Sequence, residues 1–294
     1  MKKLKLIIQR SGLNITEGVI LVYIILTAIY ILSGASKLDD VAEHILARLV
    51  IISFIFFMAR LSKKINKSGI FILLRNIYPF LFLGYFYKET GYMNNILFDY
   101  FDFRFVKLEE FLWGMQPSME FSARFPQRWL GELMNFGYFF YYFLTLGTVV
   151  SVFYFSRSKT EKAVFVIVTS FLIYYIVFAL FPVEGPQFYF SPDKIKTADT
   201  YIFGYLVKKV QEMGEAQTGA FPSSHVGMSI VFLILNYKYA RKIFWFILIP
   251  VVLLWFATVY IKAHYLIDTL MGFPSGILVY WLSVRLYGKI SHQN

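Results

Sequence analysis

The stretch AVFVIVTSFLIYYIVFALFP, residues 163–182, runs for twenty residues without a charge. A helix needs about 20 such residues to cross the hydrocarbon core of a bilayer, so this segment reads as a membrane span. It has company on both sides. Apolar runs at about 17–33, 45–61, 69–88, 130–156, 162–182, 223–240, 242–261 and 264–287 give eight candidate spans. The composition agrees: 58% of the 294 residues are hydrophobic, 20% aromatic and 16% charged, against roughly 25% charged in a soluble domain. The expected fold is an all-α, polytopic transmembrane bundle, one membrane domain over residues 1–294. The first run is too long for a signal-peptide core and lacks a small-residue cleavage site, so it is expected to be retained as the first span. With no cysteine, disulfides, thiolate metal sites and cysteine nucleophiles are excluded.

Charge sorts the connections. Lys2, Lys3, Lys5 and Arg10 precede the first span; Arg60, Lys63, Lys64 and Lys67 follow the second; Arg157, Lys159 and Lys162 follow the fourth. Lys238, Arg241 and Lys242, then Arg285 and Lys289, continue the series, and Glu161 is the one acid among them. The alternate connections are mixed or acidic, with Asp39, Asp40 and Glu43 against Lys37 in the first. The positive-inside rule then places both termini in the cytoplasm. It also accounts for the net charge of +11, so no nucleic-acid partner is expected. The compact chain without extensions points to a bacterial inner membrane rather than a eukaryotic endomembrane.

Two outer connections are too long for turns. The stretch from Glu89 to Trp129, with FDYFDFRFVKLEEFLWGMQPS at 98–118, mixes aromatics with charges and suits an interfacial segment; the stretch from Val183 to Phe221 contains YLVKKVQEM, residues 205–213, which suits a short amphipathic helix.

Three motifs carry chemistry. His225 lies in GAFPSSHVG, where Ser223 or Ser224 can cap the sixth span. His264 lies in KAHYLIDTLMG, four residues before Asp268; on a helix the two share a face, and the carboxylate can accept a proton from one imidazole nitrogen. That bond would leave the other nitrogen free as nucleophile or base. The third is FPVEGPQ, residues 181–187. Alone, each has a plainer reading: a helix-end hydrogen bond, an N-cap, a turn. In the charge-derived topology all three fall on the non-cytoplasmic face. Two histidines beside capped helix N-termini, which attract anions, point to phosphoryl transfer.

These motifs resemble those of the phosphatidic-acid-phosphatase type 2 superfamily, with its Pro-Ser-Gly-His and later His-x-x-x-Asp signatures. The counterparts are Pro222-Ser223-Ser224-His225 and His264 to Asp268. HYLID and FPVEGP are more similar to the inositol phosphorylceramide synthase and sphingomyelin synthase branch. The resemblance is clearest over residues 181–276, with weaker echoes in WGMQPS and the fourth span. It implies that His264 attacks phosphorus to form a phosphohistidine, Asp268 holds His264, and His225 protonates the leaving alcohol. It implies no metal or other cofactor, a phospholipid or lipid phosphate substrate, and water or a lipid alcohol as acceptor.

Two departures bear on the substrate. Family phosphatases carry an arginine where this chain has Thr258, and a basic residue where it has Gln187. A monoester dianion needs more compensating charge than a diester monoanion, so headgroup transfer from a diester is favoured, with a lipid phosphate phosphatase as the alternative. Lys262 is the leading replacement cation, followed by Lys194, Lys196, Arg124, Arg128 and Arg48. The expected substrate-binding set is Ser223, Ser224, Lys262, Gly185, Gln187, Lys194 and Arg128. A lipid transporter or flippase would instead concentrate buried charge near mid-membrane, whereas these polar groups sit at outer ends. A metal-dependent hydrolase built on His225, His264 and Asp268 would lack a further ligand.

Overall fold

The structure, a computed structural model, describes residues 11–65, 69–195, 198–214 and 216–291. All regular structure among these residues is helical. In chain order the helices are α1 (Ile15–Ser33), α2 (Val41–Lys64), α3 (Gly69–Ile77), α4 (Pro79–Met93), α5 (Asp102–Trp113), α6 (Pro117–Arg124) and α7 (Arg128–Phe155). There follow α8 (Thr160–Leu180), α9 (Pro186–Tyr189), α10 (Phe203–Gly214), α11 (Ser224–Tyr239), α12 (Arg241–Tyr260) and α13 (Leu266–Ser291).

Six helical stretches are long and apolar enough to cross a bilayer: α1, α2, α7, the Arg157–Leu180 stretch containing α8, α12 and α13. The chain is therefore an integral membrane protein. The other two expected spans differ. The run at 69–88 divides into α3 and α4, because Pro79 has no N–H to give the Arg75 carbonyl. The run at 223–240 gives α11, whose 16 residues rise about 24 Å at 1.5 Å each, short of the roughly 30 Å core. At least one end of α11 thus lies inside the layer that its longer neighbours cross. Both expected interfacial segments are helical, the first as α5 and α6, the second as α10.

The quoted stretch 163–182 forms most of α8, apolar on every side and buried along most of its length, with Phe165, Val166, Ile167 and Val168 fully enclosed. A helix hydrophobic all round belongs inside a bundle. It packs against α13, α4, α1 and α11, while α7, α11 and α12 pack on one another. Large apolar side chains such as Leu81, Tyr154, Phe246 and Ile249 point outward, as a lipid-facing surface requires. Gly272, Pro274 and Gly276 do not interrupt α13, which continues through Pro274. The two glycines instead let it touch α11: a Cβ on Gly276 would lie 2.5 Å from the Gly227 carbonyl oxygen, and one on Gly272 would lie 3.0 Å from that of Ser223.

Two ion pairs are buried in the bundle. Glu17, in a capping box with Asn14, takes Arg75 at 2.7 Å, so Arg75 is an ion-pair partner rather than a side chain reaching to the interface. Arg48 is enclosed against Glu89 and Thr27, with His44 on the same carboxylate.

Candidate active site

Three backbone connections bring the motifs together. Ala220 N–H donates to the Val183 carbonyl at 3.0 Å, Gln187 N–H to that of Lys262 at 3.1 Å, and Ser223 N–H to that of Asp268 at 3.0 Å. Residues 183–187, 220–225 and 262–268 thereby form one layer at the end of the bundle. Gly185 sits in it with φ +93, where a Cβ would lie 2.9 Å from the Ala263 carbonyl oxygen. Only glycine fits such a position without strain.

Ser223 is the N-cap of α11, its hydroxyl accepting from Val226 N–H at 3.4 Å. His225 follows in the first turn, its ring 4.8 Å from that of Tyr138 and 4.4 Å from that of Tyr141 on α7. His264 stands in the turn before α13, not on the helix. Its Nε2 is 3.2 Å from His225 Nδ1, and its Nδ1 is 2.8 Å from the Ala220 carbonyl oxygen. A carbonyl only accepts, so Nδ1 carries the hydrogen and Nε2 presents its lone pair to His225, whose Nδ1 then donates.

The expected His264–Asp268 hydrogen bond is replaced. Asp268 Oδ2 is 3.7 Å from His264 Nδ1 and instead accepts Tyr265 N–H at 2.8 Å, half of a capping box at the start of α13. The i, i+4 spacing assumed a helix that begins at 264, two residues too early.

A helix unassigned by the motifs supports this layer. On α5, Asp102, Phe105, Val106 and Glu109 form the buried face. Asp102 accepts N–H groups from Glu184 and Gly185, each at 2.9 Å, and the Tyr265 hydroxyl at 3.0 Å. Glu109 accepts Ile267 N–H at 3.1 Å, so α5 clamps residues 184–185 to residues 265–267. Burial pushes the Glu109 carboxyl up to about 7, and the Asp268 charge adds to the rise. Burial, then Asp102, raises Glu184 as well. On α7, Glu132 accepts N–H groups from Tyr201, Ile202 and Phe203, fixing the start of α10. The sequence signal for Asp102 and Glu109 is their seven-residue spacing on the apolar face of an amphipathic helix.

The space beside the histidines is small. A cavity of about 20 Å³, room for one water, is lined by Tyr138, Glu184, Gln187, Ser224, His225 and His264. Two larger cavities flank it. An apolar groove of about 400 Å³ between α4, α7 and α8 includes Leu81, Tyr142, Leu146 and Phe171 and ends on Ser224 and His225. A cavity of mixed lining, about 330 Å³, beneath α10 includes Asn135, Val207, Lys208, Gln211 and Ile261, and Gln211 donates to Gln187 at 3.2 Å.

The nominated cations lie elsewhere. Among the described residues no lysine or arginine lines the cavity beside the histidine pair. Lys262, at φ +68, is fully buried with Nζ 2.5 Å from Ser122 Oγ on α6, and burial pushes its ammonium down to about 8. Arg128 donates to the Thr200 carbonyl at 3.0 and 3.1 Å and covers the Tyr201 ring at 3.9 Å. Lys194 is exposed in a turn, Arg124 pairs with Glu120, Arg48 with Glu89, and Lys196 lies outside the described residues. Thr258 bonds Thr269 at 2.9 Å in a buried pair. Among the described residues no three His, Asp or Glu side chains are grouped to hold a metal ion.

A PA-phosphatase related-family protein of Dictyostelium discoideum is 27% identical over 112 residues, covering 34% of this chain and 20% of that relative. The match thus spans a fifth of the relative's length. No solved structure matches significantly. The profile of the PAP2 superfamily matches residues 105–282, which hold most of α5, His225, His264 and Asp268, and the chain belongs to that superfamily.

Proposed function

We propose that this protein is a membrane-embedded lipid phosphotransferase that moves a phosphorylated headgroup from a phospholipid diester to a lipid alcohol, through a phosphohistidine on His264. The observation that carries the reading is the histidine pair, 3.2 Å apart, with His264 Nδ1 committed to the Ala220 carbonyl. Its Nε2, which faces His225, is the nucleophile: a bond forms from Nε2 to phosphorus as the bond from phosphorus to the leaving oxygen breaks. The Nδ1 proton of His225 goes to that oxygen. The acceptor hydroxyl then gives its proton back to His225 as its oxygen takes the phosphorus from His264. Phosphorus enters by parting the pair, since the present cavity holds only one water.

Two observations favour a diester. The apolar groove ending on His225 offers room for an acyl chain, and the cavity behind Gln187, with Asn135, Lys208 and Gln211 in its mixed lining, offers room for a headgroup. The cavity is also poor in cations, with Asp102, Glu109, Glu184 and Asp268 close by. A monoanion suits such a site better than a dianion. The distribution of basic residues among the connections favours the non-cytoplasmic face for this site.

The test is turnover by purified protein in EDTA, with a phospholipid diester plus ceramide or diacylglycerol, and separately a lipid phosphate monoester. Headgroup transfer with little free phosphate is expected. Rapid phosphate release from the monoester would instead make the protein a phosphatase, and turnover of neither would overturn the reading.

A further inference from the structure

Glu109 and Asp268 come from different helices and meet at one helix start. Each is fully buried. Each gives one carboxyl oxygen to a backbone N–H at the beginning of α13, Glu109 to Ile267 and Asp268 to Tyr265. The second oxygen of each, Glu109 Oε2 and Asp268 Oδ1, is buried with no hydrogen-bond partner among the described residues. Leaving such an acceptor unmet is unfavourable, and more so when it is charged. Two buried carboxylates that feel each other do not both ionise readily; the pair holds a proton and titrates as a unit.

The charged group acting on Glu109 is Asp268 on α13; around the pair, Asp102 two turns earlier on α5 accepts the Tyr265 hydroxyl and the Glu184 N–H, and His264 precedes Tyr265 in the turn before α13. The nearby cation, Lys262, is directed to Ser122 on α6. A proton is therefore the means of keeping four carboxyl groups around a site that must receive a phosphate.

We propose that Glu109 is a positioning residue for phosphoryl transfer, sharing one proton with Asp268 across the start of α13 and so fixing the turn that carries His264. The idea rests on the reaction assigned above for its kinetic consequence, but not for the proton itself. Burial and the Asp268 charge, which raise the Glu109 carboxyl to about 7, agree with it. Once the shared proton leaves, the two carboxylates repel, the turn loosens and His264 loses its alignment.

The experiment compares wild type with E109Q and E109A. Glutamine keeps the acceptor for Ile267 N–H, offers an N–H to Asp268 and does not titrate. E109A is expected to lose tenfold or more in kcat with KM changed less, and E109Q to restore most of that loss. Wild-type kcat should fall as pH rises through about 7, and E109Q should lack that fall. Infrared spectroscopy of the same proteins without substrate reads the proton directly. Wild type should show the carbonyl stretch of a buried protonated carboxyl that fades over the same pH range, and both variants should lack it. Persistence of that band in E109Q, or E109A with wild-type kcat and pH profile, would overturn the proposal. Absence of turnover in wild type with the band behaving as described would overturn the assigned reaction while leaving the shared proton standing.

Discussion

The imidazole of His264 hangs on the carbonyl of Ala220, 2.8 Å from Nδ1, while the carboxylate of Asp268 stands at 3.7 Å and serves the Tyr265 N–H. Backbone thus sets the tautomer, and the aspartate holds the turn. Asp268→Asn, which keeps an acceptor for Tyr265, should lower kcat by about ten- to a hundredfold, the usual effect of losing a supporting partner. His264→Ala should abolish turnover. Equal inactivation of both, with both folded in detergent, would return the tautomer-setting role to Asp268.

His225 should matter according to the leaving group. As the general acid it is worth about 10²–10⁴ in rate with an alkoxide leaving group. His225→Gln should show that full loss on a glycerol-type lipid ester and a far smaller one on a nitrophenyl ester, whose leaving group needs no proton. The same loss on both substrates would mean that His225 acts on binding instead.

The contact between α11 and α13 places one histidine against the other. Gly276→Ala would put a methyl 2.5 Å from the Gly227 carbonyl oxygen, where overpacking costs about 1–3 kcal/mol. Thermal denaturation in detergent should show a lowered midpoint, and kcat should fall further than the stability loss explains, because the helices carrying His225 and Asp268 are pushed apart. Gly147→Ala on α7, where a Cβ meets nothing within 4 Å, is the control and should change neither.

Glu109 also predicts a pH dependence of stability. Its carboxyl is raised from 4.5 to about 7 in the folded protein, so its contribution is fully present below 4.5 and is lost as pH rises through 7. The loss is on the order of 3 kcal/mol, since one pKa unit corresponds to about 1.4 kcal/mol. E109Q should therefore gain stability over wild type between pH 5 and pH 8. A stability difference that is flat with pH would show that Glu109 does not change its protonation there.

The parts of this architecture that depend on local pattern were legible in the sequence. The uncharged run at 163–182, the serine cap before His225 and the amphipathic YLVKKVQEM each appear as helices, since period and capping chemistry are properties of neighbours in the chain. What depends on chain path was not. The acceptor for His264 is a backbone carbonyl 44 residues away, which no side-chain motif reveals. Asp102 and Glu109 lie in a segment read as interfacial for its aromatics, yet their carboxyls turn inward onto the motifs. Lys262 follows the opposite course: two residues from His264 in sequence, it reaches α6 instead of the histidine cavity.

The central claim is covalent attachment of phosphorus to His264. The direct measurement is to mix purified protein with a phosphodiester lipid carrying radioactive phosphorus, quench within one turnover in base, and locate the label by peptide mapping. An acid-labile, base-stable label on the peptide containing His264, absent from His264→Ala, is the predicted result. Turnover by wild type with no label at His264, or label that persists in His264→Ala, would contradict it.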